Sequence, residues 1–120
     1  MKLYYTPGAC SVSPHIALRE AGLTFDLVKV DLKAKTMAGG GSFLDINPKG
    51  YVPVLQLDGG QFLTEGPAIT QYLGSLKPEK GLIPGPESFE RYRLLEWLTF
   101  IGTELHKGFG PLFGGAPEEV

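Results

Sequence analysis

Apolar and polar residues alternate along the first quarter of the chain in a pattern that predicts a strand, a helix and a second strand. Residues 2–5 predict a short strand that stops at the breaker sequence 6–8. Residues 11–14 open a helix that ends at Gly22, and the regular alternation over 25–31 predicts the next strand. Because a crossover helix joins these two strands, we expect them to be parallel, with a right-handed connection.

The middle of the chain predicts a loop, a β-hairpin and another helix. Residues 33–50 are polar and glycine-rich, so we expect a loop with one short helix there. The apolar run 52–57 predicts a strand that turns at Asp58-Gly59 and returns over 61–64. Residues 67–73 then have helical periodicity. The order β-α-β, loop, β-β-α indicates an α/β unit of the thioredoxin-like type.

The C-terminal third predicts a linker and the beginning of a second domain. Prolines and glycines in residues 78–86 predict a linker, so the thioredoxin-like domain would span residues 1–77. Residues 87–107 predict one long helix that is apolar on more than one face. Such a helix is expected to pack against the first domain and against further helices. We therefore expect residues 87–120 to be the first helix of an incomplete all-α domain.

Charge and cysteine content argue against several functional classes. The 120 residues carry a formal net charge of −2 and no basic run, which is not typical of a nucleic-acid-binding protein. No stretch approaches the roughly 18 apolar residues of a membrane span. Cys10 is the only cysteine, which excludes an internal disulfide and a cysteine-based zinc site. A lone thiol fits a reducing compartment, so we expect a cytoplasmic protein.

The first candidate site is the loop before the first helix, which carries Cys10 and Ser11. Backbone N–H groups and the positive end of the helix dipole stabilise a thiolate there, and a thiolate can attack a disulfide. The alternative is that Cys10 is a small buried apolar residue. The Ser11 hydroxyl either takes part in catalysis or simply caps the helix.

The second candidate site is the Val52–Pro53 junction, which leads directly into an apolar strand. A trans proline would normally disturb strand pairing there. Only an X–Pro bond adopts the cis form at low cost, and a cis bond would turn the Val52 backbone outward. The N–H and C=O groups of Val52 would then pair with the main chain of a bound peptide, as an added strand does.

Two further segments carry charged residues near helix ends. Glu65 precedes a predicted helix, where a carboxylate can bind an ammonium while the free N–H groups bind a carboxylate. One end of an amino acid offers both groups, although simple helix capping is the alternative. His106 and Lys107 end the long helix, where a lone histidine more often complements the helix dipole than acts as a catalyst.

Four segments together, 4–11, 47–55, 64–69 and 104–107, resemble the bacterial beta-class glutathione transferases. The resemblance implies an α/β, thioredoxin-like N-terminal domain followed by an all-α C-terminal domain, here incomplete because family members continue through more helices. It implies an enzyme that conjugates reduced glutathione to hydrophobic electrophiles, as in detoxification, or exchanges disulfides through Cys10. It further implies a homodimer that uses glutathione as a substrate and needs no metal or other cofactor.

The resemblance also implies a role for each matching residue. Cys10 would lie against the glutathione sulfur and could form a mixed disulfide with it. The Val52 backbone, beside a cis Pro53, would face the cysteinyl part of glutathione. Glu65 and the amide of Gly66 would hold the γ-glutamyl end.

The remaining matches are Lys35, which would reach the glycyl carboxylate, and His106 and Lys107, which would come down over the sulfur with His106 in a catalytic role. Tyr5 matches a tyrosine that is catalytic in other transferase classes but is not the main catalyst in the beta class. Two alternatives stay open, a non-catalytic glutathione-binding module and a glutaredoxin-like thiol oxidoreductase. The second is disfavoured because it does not need the long helix.

Overall fold

The computed structural model describes residues 1–113, which divide between two compact units. The first unit is Met1–Leu82, and the second begins at Ile83. This boundary lies within the segment 78–86, where breaker residues predicted a linker. Residues 114–120, the end of the predicted second domain, lie outside the described residues.

The first unit is built on a five-stranded sheet with the strand order β3-β2-β1-β4-β5. Its strands are β1 (Lys2–Tyr5), β2 (Asp26–Asp31), β3 (Thr36–Met37), β4 (Val54–Gln56) and β5 (Phe62–Thr64). As predicted, β1 and β2 are parallel, with Leu3 opposite Leu27. The other neighbouring pairs are antiparallel. Strand β3 was not predicted: its two residues lie in the segment 33–50, which was expected to be a loop with a short helix.

Two helices cover one face of the sheet, α1 (Val12–Glu20) and α2 (Gly66–Leu76). Because side chains alternate between the faces of a strand, Leu3 points towards these helices while Tyr4 points away from them. The helix-side core consists of Leu3, Leu18, Leu55, Ile69 and Leu73.

The other face of the sheet is covered by the segment between β2 and β4. The expected short helix is present there as the 3₁₀ turn Phe43–Asp45. Phe43 is fully buried, and its ring centroid lies 5.9 Å from that of Tyr4. This second core consists of Tyr4, Val30, Phe43, Val52 and Val54. It lies directly beneath the Val52–Pro53 junction.

The second unit contains helix α3 (Phe89–Phe100), a π-helical stretch Ile101–His106 and the short helix α4 (Gly110–Phe113). The long helix predicted over 87–107 is therefore present from Phe89 onwards, but its winding changes from α to π over Ile101–His106. The hydroxyl of Thr103 donates to the carbonyl of Thr99 at 3.1 Å, which accompanies the change in helical winding. Over residues 1–113, no helix has the length and apolarity needed to cross a membrane.

Candidate functional site

The loop between β1 and α1 presents the thiol of Cys10 at the protein surface. The side chain of Cys10 is exposed, and its Sγ atom donates to the carbonyl of Val52 at 3.2 Å. The alternative of a buried apolar cysteine is therefore wrong. This contact joins the first two candidate sites, which are separated by 42 positions in the sequence.

Ser11 closes the loop that carries Cys10. It is 1% exposed, and its hydroxyl donates to the carbonyl of Thr6 and accepts from the N–H of Thr6, both at 3.1 Å. Ser11 is the N-cap residue of α1, but its side chain makes no capping hydrogen bond. Its catalytic role stays a prediction, and this geometry favours a structural role instead.

The buried side chain of Asn47 makes two hydrogen bonds with the backbone of the segment before β4. The Asn47 side chain is 5% exposed; its amide donates to the carbonyl of Tyr51 at 2.9 Å and its oxygen accepts from the N–H of Lys49 at 3.2 Å. The peptide bond between Val52 and Pro53 is cis, as the resemblance implies. We assigned no role to Asn47 from the sequence, although an Asn-Pro pair commonly marks a side-chain-stabilised turn.

The side chain of Lys35 is hydrogen-bonded to the same segment. Its Nζ donates to the carbonyl of Gly50 at 2.8 Å and lies 6.0 Å from the centroid of the Tyr51 ring. The ammonium group is therefore fixed beside the turn that leads to Val52. Its contact with a glycyl carboxylate stays a prediction, and its position beside the turn is compatible with that role.

A tight turn after β2 positions Lys35. The carboxylate of Asp31 accepts hydrogen bonds from the N–H groups of Ala34 and Lys33, both at 2.9 Å, and the N–H of Lys35 donates to the Asp31 carbonyl at 2.8 Å. The bond from Ala34, and then the bond from Lys33, lower the pKa of the Asp31 carboxyl below its usual value. The turn leaves Lys35 with a positive φ of 57°.

We expect Gly50→Ala to destabilise the protein by about 1 to 2 kcal/mol, because Gly50 has a left-handed φ of 69°. The added Cβ would also lie 3.1 Å from Cε of Lys35 and 3.2 Å from Cδ2 of Leu44. Urea denaturation measures the effect. Gly59→Ala is the matched control, because its Cβ would meet nothing within 4 Å. Equal losses of stability in the two variants would contradict this account of Gly50.

The N-terminus of α2 brings an acidic residue to the site. Glu65 has φ 69° and ψ 115°, a conformation that costs a residue with a Cβ roughly 1 to 3 kcal/mol and is found most often at functional sites. Its side chain does not cap α2, so the capping alternative is wrong. Its Oε1 instead lies 3.8 Å from Nζ of Lys49. A Cβ added to Gly66 would lie 3.9 Å from Cγ of Pro53, which places the start of α2 against the cis-proline segment.

The first unit thus gathers most of the predicted residues around the segment 47–53. Cys10 contacts it at Val52, Lys35 at Gly50, Glu65 at Lys49 and Gly66 at Pro53. The result is an exposed thiol, a peptide backbone, two cations and a carboxylate on adjacent loops. Such a set can bind a small zwitterionic thiol. Lys49 was not predicted from the sequence, although it lies within one of the recognised motifs.

Three predicted residues lie outside this group of contacts. Tyr5 packs against the helix-side core, with its ring centroid 6.2 Å from that of His15. His106 and Lys107 belong to the second unit, at the end of the π-helical stretch, and both are exposed. The roles of Tyr5, His106 and Lys107 in binding or catalysis stay predictions.

Comparison with known proteins identifies the family. Residues 8–76 match the family model described as the glutathione S-transferase N-terminal domain. The chain belongs to the glutathione S-transferase family. The thioredoxin-like fold class expected from the order of elements is confirmed by this match and by the structural similarities.

Glutathione S-transferases of bacteria are among the most similar proteins. The chain is 53% identical over 120 residues to glutathione S-transferase GstA of Escherichia coli O157:H7, covering 99% of this chain and 60% of that protein. A sphingomonad glutathione S-transferase solved in complex with glutathione is 52% identical, with a TM-score of 0.93, and is matched over 100% of this chain and 59% of its own.

A bacterial beta-class glutathione S-transferase from Sphingomonas chungbukensis has a TM-score of 0.92 at 54% identity, over 94% of this chain and 56% of its own. The beta-class resemblance recognised in the sequence is thereby confirmed. The chain spans about 60% of the length of GstA and somewhat less of the Sphingomonas enzyme.

Proposed function

We propose that the protein is a glutathione transferase that binds reduced glutathione around the segment 47–53 and delivers its sulfur to hydrophobic electrophiles or to disulfides. The observation that carries this proposal is the contact between Cys10 Sγ and the Val52 carbonyl at 3.2 Å. It puts an exposed thiol beside the backbone that is predicted to pair with a bound peptide. The glutathione bound in the sphingomonad relative supports the same ligand for this chain.

Each part of glutathione has a matching group in the first unit. The exposed carboxylate of Glu65 suits the α-ammonium of the γ-glutamyl end, and the Gly66 amide at the N-terminus of α2 suits its carboxylate. The Val52 backbone suits the cysteinyl peptide unit. Lys35 suits the glycyl carboxylate. With these contacts made, the ligand sulfur would lie at Cys10.

In conjugation, the deprotonated sulfur of glutathione attacks an electrophilic carbon of the acceptor. A carbon–sulfur bond forms, the bond to the leaving group breaks, and the leaving group departs with its electron pair. The thiol proton passes to solvent or to a nearby base. The protein contributes by fixing the sulfur beside the start of α1, where backbone N–H groups favour negative charge.

In disulfide exchange, the Cys10 thiolate attacks the glutathionyl sulfur of a mixed disulfide. A bond forms between Cys10 and glutathione while the original disulfide breaks, and the released thiolate takes up a proton. A second glutathione thiolate then attacks the glutathionyl sulfur, which yields oxidised glutathione and restores Cys10. The exposure of Cys10 supports this second activity.

Two assays on the full-length protein test the proposal. Conjugation of glutathione to chlorodinitrobenzene measures transfer to an electrophile, and reduction of hydroxyethyl disulfide by glutathione measures exchange. We expect both activities above the uncatalysed rates. Binding to immobilised glutathione with neither activity would favour the non-catalytic binding module. Exchange without any conjugation would favour the glutaredoxin-like alternative.

We further propose that the protein acts in the cytoplasm as a homodimer. Its lone, exposed thiol suits a reducing compartment. Exposed apolar side chains on α3 and the following π-helical stretch, such as Trp97, Phe100 and Ile101, offer a surface either to a second subunit or to the further helices expected in the C-terminal domain. Light scattering on the full-length protein should give twice the monomer mass, and a monomer mass would contradict the dimer.

A further inference from the structure

Lys49 is a cation at the candidate site to which the family resemblance assigned no role. Its side chain is 60% exposed, and its Nζ lies 3.8 Å from Oε1 of Glu65, whose side chain is 70% exposed. The backbone of Lys49 is held by the buried side chain of Asn47, which accepts from its N–H. An exposed, charged side chain therefore extends from a hydrogen-bonded turn towards the carboxylate proposed to hold the ligand ammonium.

The two charges at the γ-glutamyl end of glutathione match the two charges of the ion pair between Lys49 and Glu65. The γ-glutamyl end carries its ammonium and its carboxylate on the same carbon atom, so the two charges lie close together. A ligand ammonium that binds Glu65 therefore brings a carboxylate into the space that Lys49 already reaches. Because the pair between Lys49 and Glu65 is exposed, it contributes little to stability and is easily rearranged.

We propose that Lys49 is a recognition residue for the α-carboxylate of glutathione: it pairs with Glu65 in the free protein and exchanges that partner for the ligand carboxylate on binding. Glu65 then takes the ligand ammonium, so each charge of the free pair acquires a partner of opposite sign from the ligand. The inference rests on the proposed glutathione site. This exchange of partners would make the site prefer a ligand end with both a free ammonium and a free carboxylate over an end in which either group is blocked as a neutral amide.

Calorimetric titration of the full-length protein at low ionic strength tests the exchange. Three ligands are compared: glutathione, an analogue without the α-carboxylate (4-aminobutanoyl-Cys-Gly) and an analogue without the α-amino group (glutaryl-Cys-Gly). We expect Lys49→Met to weaken glutathione binding by about fivefold, the upper range for an exposed ion pair. The same substitution should weaken the glutaryl analogue similarly, but it should not weaken the analogue without the α-carboxylate, because it also removes the cation that competes for Glu65.

Lys80→Met is the matched control, because it removes the same charge beyond the other end of α2, after Leu76. It should leave the affinity for all three ligands unchanged. The proposal is overturned if Lys49→Met behaves like Lys80→Met, or if it weakens the analogue without the α-carboxylate as much as glutathione. Absence of glutathione binding to the unsubstituted protein is a different result, which would overturn the proposed function itself.

Discussion

Replacing Cys10 with alanine should reduce glutathione-dependent disulfide exchange by at least about 100-fold, because the substitution removes the attacking sulfur. Glutathione affinity should fall by no more than about tenfold, since the partners proposed for the rest of the ligand, Val52, Glu65 and Gly66, remain. Exchange is measured with hydroxyethyl disulfide, and affinity by calorimetry on the same preparation. Conjugation, in which the nucleophile is the sulfur of glutathione itself, should be reduced less than exchange.

The variant Ser11→Ala distinguishes the role of the Cys10 thiol from that of the neighbouring Ser11 hydroxyl. The Ser11 hydroxyl makes both of its hydrogen bonds with the backbone of Thr6, so this variant should lose roughly 1 to 3 kcal/mol of stability while keeping exchange activity. Ser13→Ala changes an exposed hydroxyl on the same helix and is the neutral control. If disulfide exchange survives in Cys10→Ala but disappears in Ser11→Ala, the Ser11 hydroxyl is required for exchange and the role given to Cys10 is contradicted.

The sequence was sufficient to predict the elements that have a strong local signal. The alternation over 25–31 predicted β2, which begins at Asp26 in the structure, and the crossover helix predicted its parallel pairing with β1. The two residues of β3 have no comparable signal. They adopt an extended conformation because the turn at Asp31 lets Met37 pair with Val30 on β2, and no glycine or regular alternation marks this short hairpin in the sequence.

The π-helical winding from Ile101 to His106 could not be predicted from the sequence pattern either. Periodicity distinguishes an apolar face from a polar one, but it does not distinguish i→i+4 from i→i+5 hydrogen bonding over a few residues. Gly102 and Thr103 weaken the preference for regular α-helix at this point.

At the candidate site, motifs identified residue types but not their contacts. The sequence indicated that Cys10 and Val52 belong to one site only through the family resemblance, since they are 42 positions apart. The pairing of Lys49 with Glu65 was not foreseen, because the charges of two distant loops carry no information about their separation. The positive φ of Glu65 could not be predicted from the sequence either, because a glycine, the usual sign of such a conformation, is absent at that position.

Phe43→Ala should produce the largest loss of stability, about 3 to 5 kcal/mol. The Phe43 side chain is fully buried beneath Val52 and Val54, and its ring packs beside that of Tyr4. Removing it leaves a cavity that the sheet and the 3₁₀ turn cannot close completely. Because total stabilities are typically about 5 to 15 kcal/mol, this loss is a large fraction of the whole. Urea denaturation, with the slope compared between variants, measures it.

The same substitution should also weaken glutathione binding, because Phe43 supports the segment that presents Val52. Phe62→Ala is the matched control: this ring is 45% exposed on β5, and its loss should cost about 1 kcal/mol. Phe43→Leu keeps much of the buried volume and provides a folded variant for the binding measurement if the alanine variant does not fold. If Phe43→Ala is no more destabilising than Phe62→Ala, the second core does not support the site in the way its burial implies.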